Sequence, residues 1–241
     1  MEVPTITSGL GKWETLRIII PGYFFATLLF LNTYVLLPSE FQFVSKTLPL
    51  FPLASLVVGG LIAGLLLYCL DLPRKGWGSI YRKDHPEYGL LPSNYLTGKI
   101  KEWKEQRFCQ RELVVTTERR EDLCLYYWLY NECFSSNFRD KIEYFTSVYY
   151  AVRQVYYTSI LFACVGVVLG SSLAVFCKEA GTWQATLSIT LAVINVLIVF
   201  IITRFRTAED DVLGIFRTQH YFISLHRDSI IDALERSQYS S

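Results

Sequence analysis

Four long uncharged apolar blocks predict an all-α integral membrane protein. The expected layout is four transmembrane helices in two hairpins, a helical cytosolic domain between the second and third spans, and a cytosolic C-terminal helix. Three observations carry that expectation. The blocks at 18–37, 48–70, 155–177 and 183–203 contain no Asp, Glu, Lys, Arg or His, and each reaches the roughly 20 residues a bilayer core requires. Only short loops separate the members of each pair, whereas 71–154 between the pairs is long enough for a small domain. Basic residues are one-sided: Lys12, Arg17, Arg74, Lys75, Arg82, Lys83, Arg139, Lys141, Arg153, Arg204, Arg206 and Arg217 flank one set of span ends, against Lys46 and Lys178 at the other. That bias puts both termini and the central segment in the cytoplasm and the chain in the plasma (inner) membrane.

The domains expected are an N-terminal lead at 1–17, a transmembrane hairpin at 18–70, a cytosolic helical segment at 71–154, a second hairpin at 155–203 and a helical tail at 204–241. Composition agrees, with 51% hydrophobic residues and 19% charged. Thirteen Leu, Ile, Phe and Val residues in 48–70 contribute on the order of −5 kcal/mol toward insertion. A net charge of +1 averages over compartments and names no partner.

In the first span, Pro21 falls in the opening turn, where its missing amide donor does little harm. Asn32 is suited to hydrogen-bond a neighbouring helix, or to line a water path. The stretch 38–52, PSEFQFVSKTLPLFP, is expected to be a tight external turn on the membrane surface. Gly60 and Gly64 in the second span, and Gly166 and Gly170 in the third, have the GxxxG spacing that lets backbones approach closely. Packing within one protomer and between protomers both fit.

The central segment opens with a lipid anchor: Arg74 and Lys75 face anionic headgroups while Trp77 lies at the interface. A following helix through Phe108 puts Leu96, Ile100 and Trp103 on one side, which suits an interfacial helix with Trp103 as a further anchor, or an ordinary packed helix. Residues 123–130 read LCLYYWLY, so that helix must bury most of its circumference. One long helix over 136–177 follows. Phe138, Ile142, Phe145, Tyr149, Val152 and Tyr156 recur along it at heptad spacing, an oligomer seam that continues into the third span. In the tail, Val212, Phe216, Ile223, Ile230 and Leu234 form a loose apolar face, with His220 and His226 solvated or at a core edge.

No catalytic residue, cofactor site or metal site is expected. The chain lacks nucleophile elbows, phosphate loops, intramembrane carboxylates and zinc spacings, and its six cysteines are scattered. A nucleic-acid partner is disfavoured, because fourteen basic residues in 71–154 are nearly balanced by twelve acidic ones. Partners expected are membrane lipids, further copies of the chain and a soluble cytosolic protein. Two functions fit. One is a homo-oligomeric, non-enzymatic pore or channel gated through the cytosolic helices, with Ser171, Ser172, Ser188 and Thr190 as lining. The other is a non-conducting scaffold or sensor subunit that recruits a soluble partner. The layout resembles that of small multi-span effectors and sensors of prokaryotic (antiviral) defence systems, a resemblance carried by no residue motif.

Overall fold

A computed structural model describes residues 12–47, 50–70, 92–107, 129–131, 134–176, 182–205 and 207–239. Their order is α1 (Lys12–Leu36), α2 (Pro38–Thr47), α3 (Phe51–Leu70), α4 (Pro92–Arg107), α5 (Ser136–Phe176), α6 (Thr182–Phe205), α7 (Thr207–Leu225) and α8 (Arg227–Tyr239). Among the described residues there is no strand. Helices α1, α3, α5 and α6 each hold a stretch long and apolar enough to cross a membrane.

The stretch 38–47, expected as part of a turn, is helical. Pro38 supplies a preset backbone angle at the first helical position, and Glu40 in the first turn suits the positive end of the dipole. Only Leu37 separates α2 from α1, and its amide still bonds Thr33 O while its carbonyl accepts from Phe41. The C-terminal tail divides at His226, a turn residue between α7 and α8.

The chain divides into two compact units. The first takes the described residues of Met1–Trp77 and Thr146–Ala208, the second those of Gly78–Phe145 and Glu209–Ser241. Helix α5 is shared between them, its forty-one residues changing unit after Phe145. That point lies between two and three turns before the expected start of the span at 155, and Ser147 and Gln154 already bond within the first unit: Arg17 Nε donates to Ser147 Oγ at 3.0 Å, and Gln154 Nε2 donates to Leu67 O at 3.2 Å.

Within the first unit, α1 packs along α3, and α6 is joined to α1 where Gln184 Nε2 donates to Val35 O at 2.8 Å. Phe25 and Phe162 meet edge to face, with ring centroids 5.3 Å apart, and so bring α1 to α5.

The second unit has its own apolar core of Leu96, Ile100 and Trp103 from α4, Leu129, Phe134, Ile142 from α5, and Ile215, Ile223, Ile230 and Ile231 from α7 and α8. Phe134 meets Phe138 and Phe222 edge-on, at 5.1 and 4.8 Å. Val212, Phe216, Ile223 and Ile230 are all buried, while the side chain of Leu234 lies outside the described residues. His220 is at the core edge, its ring stacked on Tyr95 at 3.9 Å.

Candidate functional site

Both glycine rows are used inside one protomer. In α3, a methyl added at Gly64 would collide with Ile18 O, and one at Gly60 would meet the Tyr23 ring at 3.0–3.2 Å. The opposite member of this contact is Gly22 of α1, which no spacing along the sequence singles out; a methyl there would lie 2.6 Å from Gly64 N and 2.7 Å from its Cα. In α5, a methyl at Gly166 would meet Ala192 Cβ and Ser188 O at 3.0 Å, and one at Gly170 would meet Ile189 Cγ1 at 2.7 Å. Backbone approach of this kind is what small residues provide between spans that have no hydrophobic driving force toward each other.

The α5–α6 contact also places Ser188. Its hydroxyl donates to Gly166 O at 3.0 Å and is fully buried, so within the protomer it is a packing group. The other three hydroxyls of the expected pore lining lie elsewhere. Ser171, Ser172 and Thr190 are exposed, and Thr190 bonds its own helix at Thr186 O, 2.8 Å. The protomer therefore does not gather the four into one lining.

The heptad seam is likewise consumed within the chain. Ile142 belongs to the second unit's core, with Phe138 and Phe145 packed against it. Tyr149 and Tyr156 are buried, and Val152 is half-buried. Sequence periodicity identifies a face that needs covering but not whether a second copy or a neighbouring helix covers it.

Of the lipid-anchor residues, Arg74, Lys75 and Trp77 lie outside the described residues. Trp103 is described, and it is not at a surface: it is 5% exposed, inside the second unit's core, with the Arg227 guanidinium 5.8 Å from its ring centroid. The face of α4 expected to meet lipid instead meets α7 and α8 through Trp103, Leu96 and Ile100. Its polar side carries Lys99, which bonds Glu102 at 2.6 Å and is held above the usual lysine value chiefly by that bond. Of the aromatic segment 123–130, the described residues Leu129 and Tyr130 join the same core, and Tyr130 donates to Glu143 Oε1 at 3.1 Å.

The first unit buries a set of polar side chains. The set includes Asn32 on α1, Gln154, Thr158 and Ser159 on α5, and Ser188 and Asn195 on α6. Asn32 and Asn195 donate to carbonyls of their own helices, Leu28 O and Leu191 O, each at 2.8 Å. Among the described residues, Asn32 Oδ1, Gln154 Oε1, Thr158 Oγ1, Ser159 Oγ and Asn195 Oδ1 have no hydrogen-bond partner. Ser159 precedes Gly166 by one heptad and Asn195 follows Ser188 by one heptad, so in antiparallel helices the two pairs occupy the same faces at successive levels. All five oxygens are neutral. They can accept a proton donor or hold water, but none can carry a proton as an acid or base near neutral pH.

Comparison with known proteins finds no matching family model, no matching curated protein and no matching solved structure.

Proposed function

We propose that the protein is a non-enzymatic, non-conducting membrane subunit whose second unit serves as a docking module for a soluble partner. One observation carries this reading: most of the features that would join several copies into a pore already have neighbours within one protomer. The buried seam residues, both glycine rows and the Ser188 hydroxyl all have intramolecular neighbours. The second unit, in contrast, leaves Tyr221 and Leu225 one turn apart on α7 and exposed by 72% and 67%. An aromatic–aliphatic pair of this kind suits a partner-facing anchor better than a solvated face. The unit and both termini are proposed to be cytoplasmic, at the plasma membrane, on the distribution of Lys and Arg.

Purified protein in liposomes should pass neither ions nor small dyes above the lipid background. Measurable flux would refute the reading. A second reading, a homo-oligomeric pore gated by the second unit, is favoured by a separate observation: Ser171, Ser172 and Thr190 are exposed on the apolar outer faces of α5 and α6, where further copies could bring them to one axis. It requires flux together with a multimeric mass in detergent, and loss of flux on S171V/S172V.

A further inference from the structure

Helices α1 and α3 form a wedge. They touch backbone to backbone around Gly22, Gly60 and Gly64. Farther along, a cavity of about 360 Å³ lies between the two helices, lined by Phe25, Leu29 and Phe30 of α1 and by Pro52, Leu56 and Gly59 of α3. Helix α2 contributes Glu40, Phe41 and Val44 to its lining, with Phe41 meeting Phe30 and Tyr34 edge-on at 4.7 and 5.3 Å.

Size and chemistry restrict the occupant. The volume is that of a ligand site, and an apolar lining gives water too few partners to settle there. Of the two hydroxyls among the described lining residues, that of Thr33 is already bonded to Leu29 O at 2.9 Å and Ser55 is solvent-exposed. One lining group is charged. Glu40 is solvent-exposed and accepts the Ser39 hydroxyl at 2.8 Å. That bond, then the backbone of Glu40 itself, holds its carboxyl below the usual value, so it is an anion at neutral pH. Among the described residues, no Lys or Arg pairs with it.

We propose that this wedge is a lipid site, which takes one acyl chain of a phospholipid whose headgroup bears a primary ammonium, with Glu40 as the headgroup contact. The hydrocarbon of a bilayer is the apolar phase in which such a span lies. An ammonium can both neutralise and hydrogen-bond the carboxylate, whereas a quaternary amine cannot donate and an anionic headgroup is repelled.

Gly59 makes the proposal testable, because it lines the cavity and a side chain placed there has nothing within 4 Å of its Cβ. The experiment is native mass spectrometry of the full chain released from nanodiscs of equimolar phosphatidylethanolamine, phosphatidylcholine and phosphatidylglycerol with matched acyl chains. Wild type should retain a phospholipid, ethanolamine over choline by about two- to fivefold, the range of a single exposed ion pair. Glu40→Gln, an exposed and isosteric change, should retain the lipid and lose the preference. Gly59→Phe should lose most of the lipid while its thermal unfolding midpoint does not fall below that of wild type. Equal retention of all three headgroups by wild type would overturn the headgroup assignment, and undiminished lipid in Gly59→Phe would overturn the site. A change of copy number in Gly59→Phe would show the wedge to be filled by a second chain, which also overturns it.

Discussion

The tight seam between α1 and α3 makes a comparison of four glycines within one surface possible. Alanine in a helix is favoured over glycine by up to about 1 kcal/mol, so Gly59→Ala, whose methyl meets nothing within 4 Å, should raise stability by about that amount. At Gly64 the same methyl would collide with Ile18 O and lie 3.0 Å from Ile18 C, and at Gly22 it would lie 2.7 Å from Gly64 Cα. These neighbours are backbone, so relief requires moving one helix off the other. Forced overpacking costs about 1–3 kcal/mol, and Gly22→Ala or Gly64→Ala should therefore fall about 3 kcal/mol below Gly59→Ala. Gly60→Ala should lie between, because its nearest atoms belong to the Tyr23 ring, which can turn. For a chain of this size the spread corresponds to about 6–12 °C in midpoint. Thermal unfolding in one detergent, followed by far-ultraviolet circular dichroism, reads it directly. If Gly22→Ala and Gly64→Ala melt with Gly59→Ala, α1 and α3 do not meet along this row, and the wedge between them loses its apex.

Other outcomes follow from the same contacts. Gly166→Leu and Gly170→Leu should lower the unfolding midpoint without changing the mass of the protein–detergent particle, since both glycines face α6 of their own chain; a change in copy number would place them between protomers. Ser188→Ala should cost no more than about 1 kcal/mol, the scale of a hydrogen bond between spans, in the same unfolding assay. Trp103→Ala should cost about 3–5 kcal/mol as a core truncation, seen as faster proteolysis of the second unit. Unchanged proteolysis with weaker liposome association would restore the anchor role. Ser39→Ala should move the titration of Glu40 up toward the ordinary carboxylate range, followed by carboxyl NMR. Since the Ser39 bond depresses the folded-state pKa, its contribution is present above the unfolded value and disappears as pH falls through the folded one.

Amino-acid order alone was enough for the presence and approximate limits of the four apolar helices, because an uncharged run of about 20 residues has one low-energy environment whatever its neighbours. It was also enough for the continuity of α5, which lacks proline throughout Ser136–Phe176, and for the close approach expected at Gly60, Gly64, Gly166 and Gly170. Helix α2 was hidden behind Pro38, which opens a helix as readily as it bounds a turn. Tertiary structure decided what each face meets. Ser188 is a hydroxyl in an apolar row until Gly166 O appears 3.0 Å away; Trp103 suits an interface until Arg227 and the α7–α8 residues surround it; and a heptad seam does not distinguish another copy from another helix of its own chain. Periodicity encodes which side of a helix must be buried, and burial is satisfied by any surface of the right shape. The identity of that surface resides in contacts between residues as far apart as Val35 and Gln184, which no local pattern records.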